Sequence, residues 1–539
     1  MEFFSQYRKL LGLVTFSQKR EIAIGVSLVV FTTFFEMLGI GLILPLIGSF
    51  GSPEVKLPLT EYSIQVINYV YCLLAVYIFR YVFILSSNKY IAGLIYSLKY
   101  EFSRRLFSSY VNLDYESKLF RDDAEIIRNL TTEINQLVNN VLIPLMILLS
   151  ELILVLALSL IFLYLYPLAA LFLASMLLLP ILGFRFVIKN KISIWGQQRM
   201  SFDHKIMKKI SEGLSGFVDL KVYQLQSVVT DDYTQNLRAS TNIEAKQYFF
   251  SQVPRISLDT FFVLVVLVGF LLNDVVNAQT DMFSAFALLI IIGIRVLPSI
   301  GRLAHCFQAL KYGDHVVKIF LDISIKNIPK RLPLKNWRSI NVSSISKNIA
   351  GKPIIDNFSL EINRGDKVLI TGASGSGKTT LMNILCGLLP LSKGHISIGG
   401  RDLCYEDDSW FQEIAFVKQQ SYIIDANLID NIKIVSKEYD ESYLQEIIAF
   451  LELEELLDHA TLGENGVLIS GGQRQRVSIA RALYKKASCI FLDEPTSALN
   501  DALSNKILDY IVNDPNLTVV CISHNSDWFN SFDKHVVLG

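Results

Sequence analysis

The stretch VLITGASGSGKTTL, residues 368–381, decides the fold of the C-terminal part of this chain. An apolar segment typical of a buried strand leads into the pattern G-x-x-x-x-G-K-[ST], and a helix is expected from Thr380. Glycines let successive backbone N–H groups point at phosphate oxygens, and the N-terminus of the helix adds a favourable potential. A glycine-rich turn is the alternative, but the strand, the full spacing and the helix together favour a phosphate-binding loop. The predicted loop residues are Gly372, Ala373, Ser374, Gly375, Ser376, Gly377, Lys378, Thr379 and Thr380.

Two carboxylates follow a second apolar strand, in CIFLDEPTSALN at residues 489–500. Asp493 stands at the end of that strand and suits a contact to Mg²⁺, for which Thr379 would supply a hydroxyl ligand. Glu494 is placed to polarise an attacking water as general base. The pair could instead cap a helix, but the phosphate loop upstream favours catalysis. The cofactors predicted from these residues are ATP and Mg²⁺.

A second anion-binding helix N-terminus lies between these motifs, in LISGGQRQRVSIARAL at residues 468–483. One nucleotide does not need two such cradles on one chain. Sharing of each nucleotide between two chains would explain the second cradle, whose residues are Ser470, Gly471, Gly472 and Gln473.

These residues carry a family resemblance. The loop at 372–379, Gln419, ISGGQ at 469–473, Asp493–Glu494, SALN and His524 in CISHN occur in the order and spacing of ABC-transporter ATPase domains. The resemblance implies that two such domains sandwich two ATP molecules head to tail. It assigns Gln419 to sensing magnesium and the membrane domain. It also assigns His524, beside Glu494 as a catalytic residue, to holding the γ-phosphate.

Two departures from the family pattern concern the nucleotide contacts. The aromatic residue that stacks on adenine should fall near Ser346, where the sequence INVSSISKNIAGKP has no Tyr or Phe. Asn500 replaces the usual aspartate after SAL. Neither removes a hydrolytic residue, so we expect an active ATPase.

The N-terminal part has the composition of a membrane domain. The 539-residue chain is 51% hydrophobic, has no formal net charge and is only 19% charged, and its apolar runs lie in the first three-fifths. Zero net charge argues against binding to nucleic acid. Segments of about 20 apolar residues predict membrane spans, although buried helices of a soluble protein are the alternative. The six predicted spans are 22–48, 64–86, 138–165, 168–188, 257–273 and 282–304.

The loops predict orientation and domain boundaries. Lys and Arg concentrate before the first span and in the two long connections, so the N-terminus and the C-terminal domain are expected to be cytoplasmic. Those connections look like helices that extend the spans into the cytoplasm, with YESKLF (115–120) and DLKVY (219–223) as turns for contacting the ATPase domain. The predicted fold is an all-α six-helix transmembrane domain of the ABC exporter type (1–324), a linker (325–339) and an α/β P-loop NTPase domain (340–539).

Cargo is predicted from cationic residues in the cytoplasmic half of the spans. Arginine binds phosphate bidentately, so a ring of arginines in an inward-open cavity suits an anionic headgroup. The alternative is that they reach the inner headgroups or pair internally, as Arg255 could with Asp259. The predicted substrate residues are Arg80, Arg255, Arg295 and Arg302.

Short membrane motifs refine the expected cargo. FFEMLGIGLILPLI, VPRISLD and IRVLPSIGRL resemble segments of bacterial flippases for lipid-linked oligosaccharides. The expected function is ATP-driven export or flipping of an amphipathic anionic lipid across the bacterial inner membrane, with such an oligosaccharide as the expected cargo. The alternative is export of a peptide or another lipid. Because one chain carries one of each motif, a homodimer is expected and a heterodimer stays open.

Overall fold

The structure is a computed structural model that describes residues 9–10, 12, 14–48, 54–56, 63–165, 191–276, 281–322, 334, 337–349, 351–436, 439–523 and 526–538. The chain divides into two compact units. The helical unit comprises Met1–Asn112 and Arg121–Ile325. The other unit, called the ATP-binding unit after its predicted ligand, comprises Leu113–Phe120 and Lys326–Gly539.

The helical unit is built from long helices. In chain order, they are Phe16–Gly48, Val66–Val111, Asp123–Arg128, Ile134–Leu137, Ile143–Leu165, Lys191–Ser215, Phe217–Val222, Gln226–Val276, Asp281–Tyr312 and Asp314–Leu321. Single π-helical turns at Asn129–Glu133 and Val138–Leu142 join three of them. A short antiparallel ribbon pairs β1 (Glu54–Lys56) with β2 (Ser63–Gln65).

Two of these helices are much longer than a membrane is thick. Val66–Val111 has 46 residues and Gln226–Val276 has 51, which corresponds to roughly 70 Å or more at the rise of an α-helix. The hydrocarbon core of a bilayer is only about 30 Å thick. The helix Val66–Val111, which is apolar enough to cross a membrane, is therefore also long enough to continue beyond it, as predicted.

Three helical segments in the described part are long and apolar enough to cross a membrane: Phe16–Gly39, Val66–Val111 and Asp123–Leu160. The predicted span 168–188 lies outside the described residues. The predicted spans 257–273 and 282–304 fall within Gln226–Val276 and Asp281–Tyr312, where many side chains also lie outside the described part. Most of the predicted linker 325–339 is outside it too.

A buried charge cluster joins several helices of this unit. Arg199 donates from Nη2 to both oxygens of Glu133, at 3.1 and 3.2 Å, and from Nη1 to Asp203 at 2.6 Å. Glu133 and Arg199 are almost fully buried. Gly196, on the same helix as Arg199, allows close packing, because a Cβ there would lie 2.5 Å from the carbonyl oxygen of Tyr312.

The ATP-binding unit contains two sheets. In chain order, the strands are β3 (Ser339–Ile349), β4 (Lys352–Asn363), β5 (Lys367–Gly372), β6 (Lys393–Ile398), β7 (Arg401–Asp402), β8 (Ile414–Val417), β9 (Cys489–Asp493), β10 (Thr518–Ile522) and β11 (Lys534–Leu538). The parallel sheet has the order β11-β5-β10-β9-β8 and the antiparallel sheet the order β4-β3-β6-β7.

Helices pack around these sheets. They are Tyr115–Leu119, Lys378–Leu385, Asp408–Glu413, Leu428–Lys433, Glu441–Phe450, Gly471–Tyr484 and Asp501–Val512. Strands β9 and β10 are buried along their whole length, as expected for a parallel sheet covered on both faces. The strands of this sheet pair in parallel, so their carboxyl ends lie along one edge. Ligands bind at this edge in such sheets, and it is formed by the neighbouring strands β5, β10, β9 and β8.

Candidate nucleotide-binding and catalytic site

The phosphate loop follows β5 and leads directly into the helix Lys378–Leu385. Gly372, Gly375 and Gly377 have φ values of 150°, 83° and 92°, which residues with a Cβ rarely adopt. Steric crowding also requires glycine at position 372, because a Cβ there would lie 2.1 Å from the carbonyl oxygen of Leu538. The loop thus has the backbone conformation of an anion-binding cradle.

Polar side chains in the loop are available for phosphate. Lys378 is buried, and its Nζ donates to the carbonyl oxygens of Gly372 and Ala373, both at 2.9 Å. The Ser376 hydroxyl is buried and has no hydrogen-bond partner among the described residues. A buried hydroxyl without a partner is costly, so these groups fit an anionic ligand such as the phosphates of ATP.

A hydroxyl and a carboxylate meet beside this loop. The Thr379 Oγ1 donates to Asp493 Oδ2 at 3.3 Å. Burial raises the pKa of Asp493, and the hydrogen bond from Thr379 opposes that rise. An oxygen pair next to a phosphate loop fits Mg²⁺, which takes one or two protein oxygens together with nucleotide phosphates. Thr379 and Asp493 would hold the ion, which when bound neutralises charge on the phosphates.

Glu494 has an unusual backbone conformation. Its φ is 51°, and Pro495 follows it, although residues before proline favour extended conformations. Such conformations cost about 1–3 kcal/mol and persist where the surroundings impose them. The Glu494 N–H donates to the carbonyl of Ile522 on the neighbouring strand at 3.0 Å, and Gln419 Nε2 donates to Glu494 Oε2 at 2.7 Å.

The predicted second cradle begins the helix Gly471–Tyr484 with a capping box. Ser470 Oγ accepts from the Gln473 N–H at 3.2 Å, and Gln473 Oε1 accepts from the Ser470 N–H at 2.7 Å. Gly472 packs against the loop after Glu494, because a Cβ on Gly472 would lie 2.7 Å from the carbonyl oxygen of Ala498. The cradle is therefore in contact with the segment that carries the candidate base.

The residues at both departures from the family pattern make hydrogen bonds within the domain. Ser346 donates to Asp356 Oδ1 at 3.2 Å and accepts from the Asn357 N–H at 3.0 Å, so its hydroxyl links β3 to β4 where their register is irregular. Asn500 is the N-cap of the helix Asp501–Val512 and accepts from the Leu503 N–H at 2.8 Å. Asparagine and aspartate serve equally well as N-caps. His524 lies outside the described residues.

The predicted turn at 115–120 contacts the ATPase domain. The Tyr115 N–H donates to Glu406 Oε1 at 2.9 Å. Lys347 Nζ donates to Glu116 Oε1 at 2.8 Å. The exposed fractions of these two side chains are 4% for Lys347 and 35% for Glu116. The prediction that this turn contacts the ATPase domain is therefore confirmed. The sequence did not indicate that Lys347, which lies in the polar strand β3, would be the partner of Glu116.

Three of the predicted substrate arginines, those whose side chains the structure describes, have carboxylate neighbours in the helical unit. Arg302 donates to both oxygens of Glu151, at 2.6 and 3.1 Å. Arg80 lies 4.0 Å from Glu36. Arg255 lies 3.9 Å from Asp259, in the i, i+4 pairing weighed above. Arg295 lies in the helix Asp281–Tyr312, and its side chain is outside the described part.

A parallel sheet with a phosphate loop after β5 and two carboxylates after β9 defines a P-loop NTPase domain. Residues 355–497 match the ABC transporter family. The whole chain also resembles the structure of a bacterial Atm1-family ABC exporter with ATP bound, with a TM-score of 0.80 and 17% identity, over 97% of this chain and 93% of the other. The chain therefore carries an ABC transporter ATPase domain, which binds ATP, fused to an N-terminal helical region in the ABC exporter fold, as predicted.

Curated relatives share parts of the chain. The colicin V secretion/processing ATP-binding protein CvaB of Escherichia coli is 35% identical over 34% of this chain. The ATP-dependent lipid A-core flippase 2 of Colwellia psychrerythraea is 28% identical over 69% of this chain. The chain spans 27% of the length of the first relative and 66% of the second.

Proposed function

We propose that the protein is an ATP-hydrolysing exporter that flips an amphipathic anionic lipid across the bacterial inner membrane. The observation that carries the ATPase proposal is the convergence of Lys378, Thr379, Asp493, Glu494 and Gln419 at one edge of the parallel sheet. Long apolar helices in the same chain support the coupling of hydrolysis to transport.

The proposed chemistry is hydrolysis of the γ-phosphate by water. The backbone N–H groups of the phosphate loop and Lys378 hold the phosphates, and Thr379 and Asp493 hold Mg²⁺. Glu494 takes the proton of the attacking water as a new oxygen–phosphorus bond forms, and the bond to the bridging oxygen of ADP breaks. Gln419 orients the Glu494 carboxylate through its 2.7 Å hydrogen bond.

The proposed working unit is a homodimer in which each ATP lies between the phosphate loop of one chain and the Ser470–Gln473 cradle of the other. One chain carries one copy of each cradle. The helical unit also has an apolar surface at the short helix Phe217–Val222, where Phe217, Val218 and Tyr223 are exposed. Exposed apolar patches of this kind fit a face that is covered in an assembly.

The proposed cargo is a lipid with a phosphate or pyrophosphate headgroup, specifically a lipid-linked oligosaccharide. Support comes from the relative named as a lipid A-core flippase and from the four arginines. Arg255 is the most available of those described, because its side chain is 68% exposed and its carboxylate neighbour is 3.9 Å away. Arg302 is bound bidentately by Glu151, so a headgroup would have to compete with that carboxylate.

A reconstitution assay tests the cargo class. The purified chain in liposomes should show ATP hydrolysis that polyprenyl-linked glycans or lipopolysaccharide precursors stimulate. Stimulation by peptides alone would instead favour peptide export, the second candidate, which the relationship to a colicin V secretion protein supports.

Arginine variants test the proposed headgroup site. Arg255→Ala and Arg295→Ala should lower flipping while basal hydrolysis persists, and Arg238→Ala, at an exposed position outside the predicted spans, serves as control. Arg302→Ala is compared with Arg302→Ala/Glu151→Gln, because the second change removes the carboxylate left without its partner. Unchanged flipping in the double variant would overturn a substrate role for Arg302.

A further inference from the structure

Gln475 is a buried polar residue to which the nucleotide site as described assigns no task. It lies in the first turns of the helix Gly471–Tyr484, and only 3% of its surface is exposed. Buried side-chain amides are nearly always hydrogen-bonded, because an unpaired polar group costs free energy. Its partners therefore indicate what the residue does.

All of these partners lie in the loop that follows β9. Gln475 Nε2 donates to the Glu494 carbonyl oxygen at 2.8 Å and approaches the Ser497 hydroxyl at 3.4 Å. Gln475 Oε1 accepts from the Ala498 N–H at 3.0 Å. One amide thus holds both ends of the segment from Glu494 to Ala498.

This clamp acts on the strained residue of the site. Glu494 has a φ of 51° and precedes proline, so its backbone needs external support to keep that conformation. The Ile522 carbonyl supports the N–H side of Glu494, and Gln475 supports the carbonyl side. Together they determine in which direction the Glu494 side chain leaves the backbone, towards Gln419.

The same helix carries the second cradle. Ser470 caps it, and Gly472 packs on the carbonyl oxygen of Ala498, whose N–H donates to Gln475. A shift of the helix would therefore move the loop that holds Glu494.

We propose that Gln475 is a positioning residue for ATP hydrolysis, which holds Glu494 in its left-handed conformation and links the Ser470–Gln473 cradle to the candidate base of the same chain. This inference rests on the proposed ATPase function. The side-chain hydrogen bonds of Gln475 all reach the segment from Glu494 to Ala498, so its effect on hydrolysis acts through Glu494. Its loss is expected to lower turnover rather than nucleotide binding, because the phosphate loop lies on a different strand.

The test compares two variants of the full chain in detergent or nanodiscs. Gln475→Leu removes both hydrogen-bonding functions at similar size. Gln475→Glu keeps an acceptor for the Ala498 N–H, but the ionised carboxylate cannot donate to the Glu494 carbonyl. Gln445→Leu, an exposed glutamine on the helix Glu441–Phe450, is the matched control.

We expect Gln475→Leu to lower kcat by roughly ten-fold or more while KM for ATP stays within about two-fold, the signature of a lost transition-state interaction. Gln475→Glu should also be slow, but its kcat relative to wild type should rise as the pH falls from about 8 to about 6, because the protonated carboxyl can donate again. Thermal unfolding checks that each variant is folded, and Gln475→Glu carries the test if Gln475→Leu does not fold.

The outcomes separate this inference from the proposed function. An inactive wild-type protein would overturn both. The inference alone would be overturned if Gln475→Leu had the same kcat as an active wild type. It would also be overturned if the kcat of Gln475→Glu relative to wild type were equally low at about pH 8 and about pH 6.

Discussion

Gln419 and Glu494 follow neighbouring parallel strands, and the side-chain amide of the first donates to the carboxylate of the second at 2.7 Å. The hydrogen bond joins the residue expected to sense magnesium to the candidate base. Since Gln419 supplies an N–H donor without charge, it can orient the carboxylate through this hydrogen bond.

Exchange of that donor for an acid tests the relationship. Gln419→Glu places two carboxylates within hydrogen-bonding distance, and such a pair resists ionisation of both members. A base works only when it is deprotonated, so the acidic limb of the kcat profile should move to higher pH by roughly one unit. Gln445→Glu, on an exposed helix face, should leave the profile in place. An unshifted acidic limb in Gln419→Glu would argue against contact between these residues in the working enzyme.

Neutralisation of the candidate base should separate binding from hydrolysis. Glu494→Gln is expected to keep ATP affinity and to lower kcat by roughly 10²–10⁴-fold, the usual contribution of a general base. Single-turnover hydrolysis and equilibrium binding of ATP measure the two effects. Glu446→Gln, at an exposed position of the same unit, controls for the loss of one negative charge. Rapid turnover by Glu494→Gln would remove Glu494 from the reaction.

In the Lys347–Glu116 ion pair, removal of Glu116 should lower the stability of the protein more than removal of Lys347. Glu116→Ala leaves the ammonium of Lys347 buried without a carboxylate and should destabilise the ATP-binding unit by about 1–2 kcal/mol. Lys347→Met should cost less, because Glu116 is already 35% exposed and can be hydrated. Thermal unfolding of the full chain measures both.

A double variant provides the internal check on this pair. Lys347→Met/Glu116→Ala should be about as stable as Lys347→Met alone, since no buried charge remains. Lys352→Met, at an exposed position, is the control. Additive losses in the double variant would mean that the two side chains act independently.

Asn500 should behave as a helix cap. Asn500→Ala removes the acceptor for the Leu503 N–H and should cost about 1 kcal/mol of stability. Asn500→Asp keeps the cap and adds favourable charge at a helix N-terminus, worth about 0.3–1 kcal/mol. The thermal midpoints of both variants, with Asn513→Ala at the far end of the helix as reference, test this order. A loss of stability in Asn500→Asp would show that the position requires a neutral side chain.

Local spacing predicts much of the ATP-binding unit correctly. The glycines of residues 372–377 specify their own backbone conformations, and apolar runs bounded by polar residues identify β5 and β9. The proximity of Thr379 to Asp493 follows from the general property that parallel strands bring their carboxyl ends to one edge. These features depend on neighbours in sequence or on rules of sheet topology.

Contacts between distant segments could not be predicted in the same way. The hydrogen bonds of Gln475 depend on how a helix packs against a loop, and no periodic pattern encodes that geometry. The carboxylate partner of Arg302 is similarly 151 residues away, on another helix. The sequence left open whether Arg302 faces a headgroup or pairs internally, and side-chain packing places Glu151 beside it.

The location of Leu113–Phe120 in the ATP-binding unit has a consequence for biosynthesis. Glu116 emerges from the ribosome 231 residues before Lys347, which at about 5–20 residues per second is a delay of roughly 10–50 seconds. During that interval the early segment has no ATPase domain to join. The order of synthesis and the order of folding therefore differ, and a fragment that begins at Lys326 would fold, if at all, with Lys347 lacking its carboxylate.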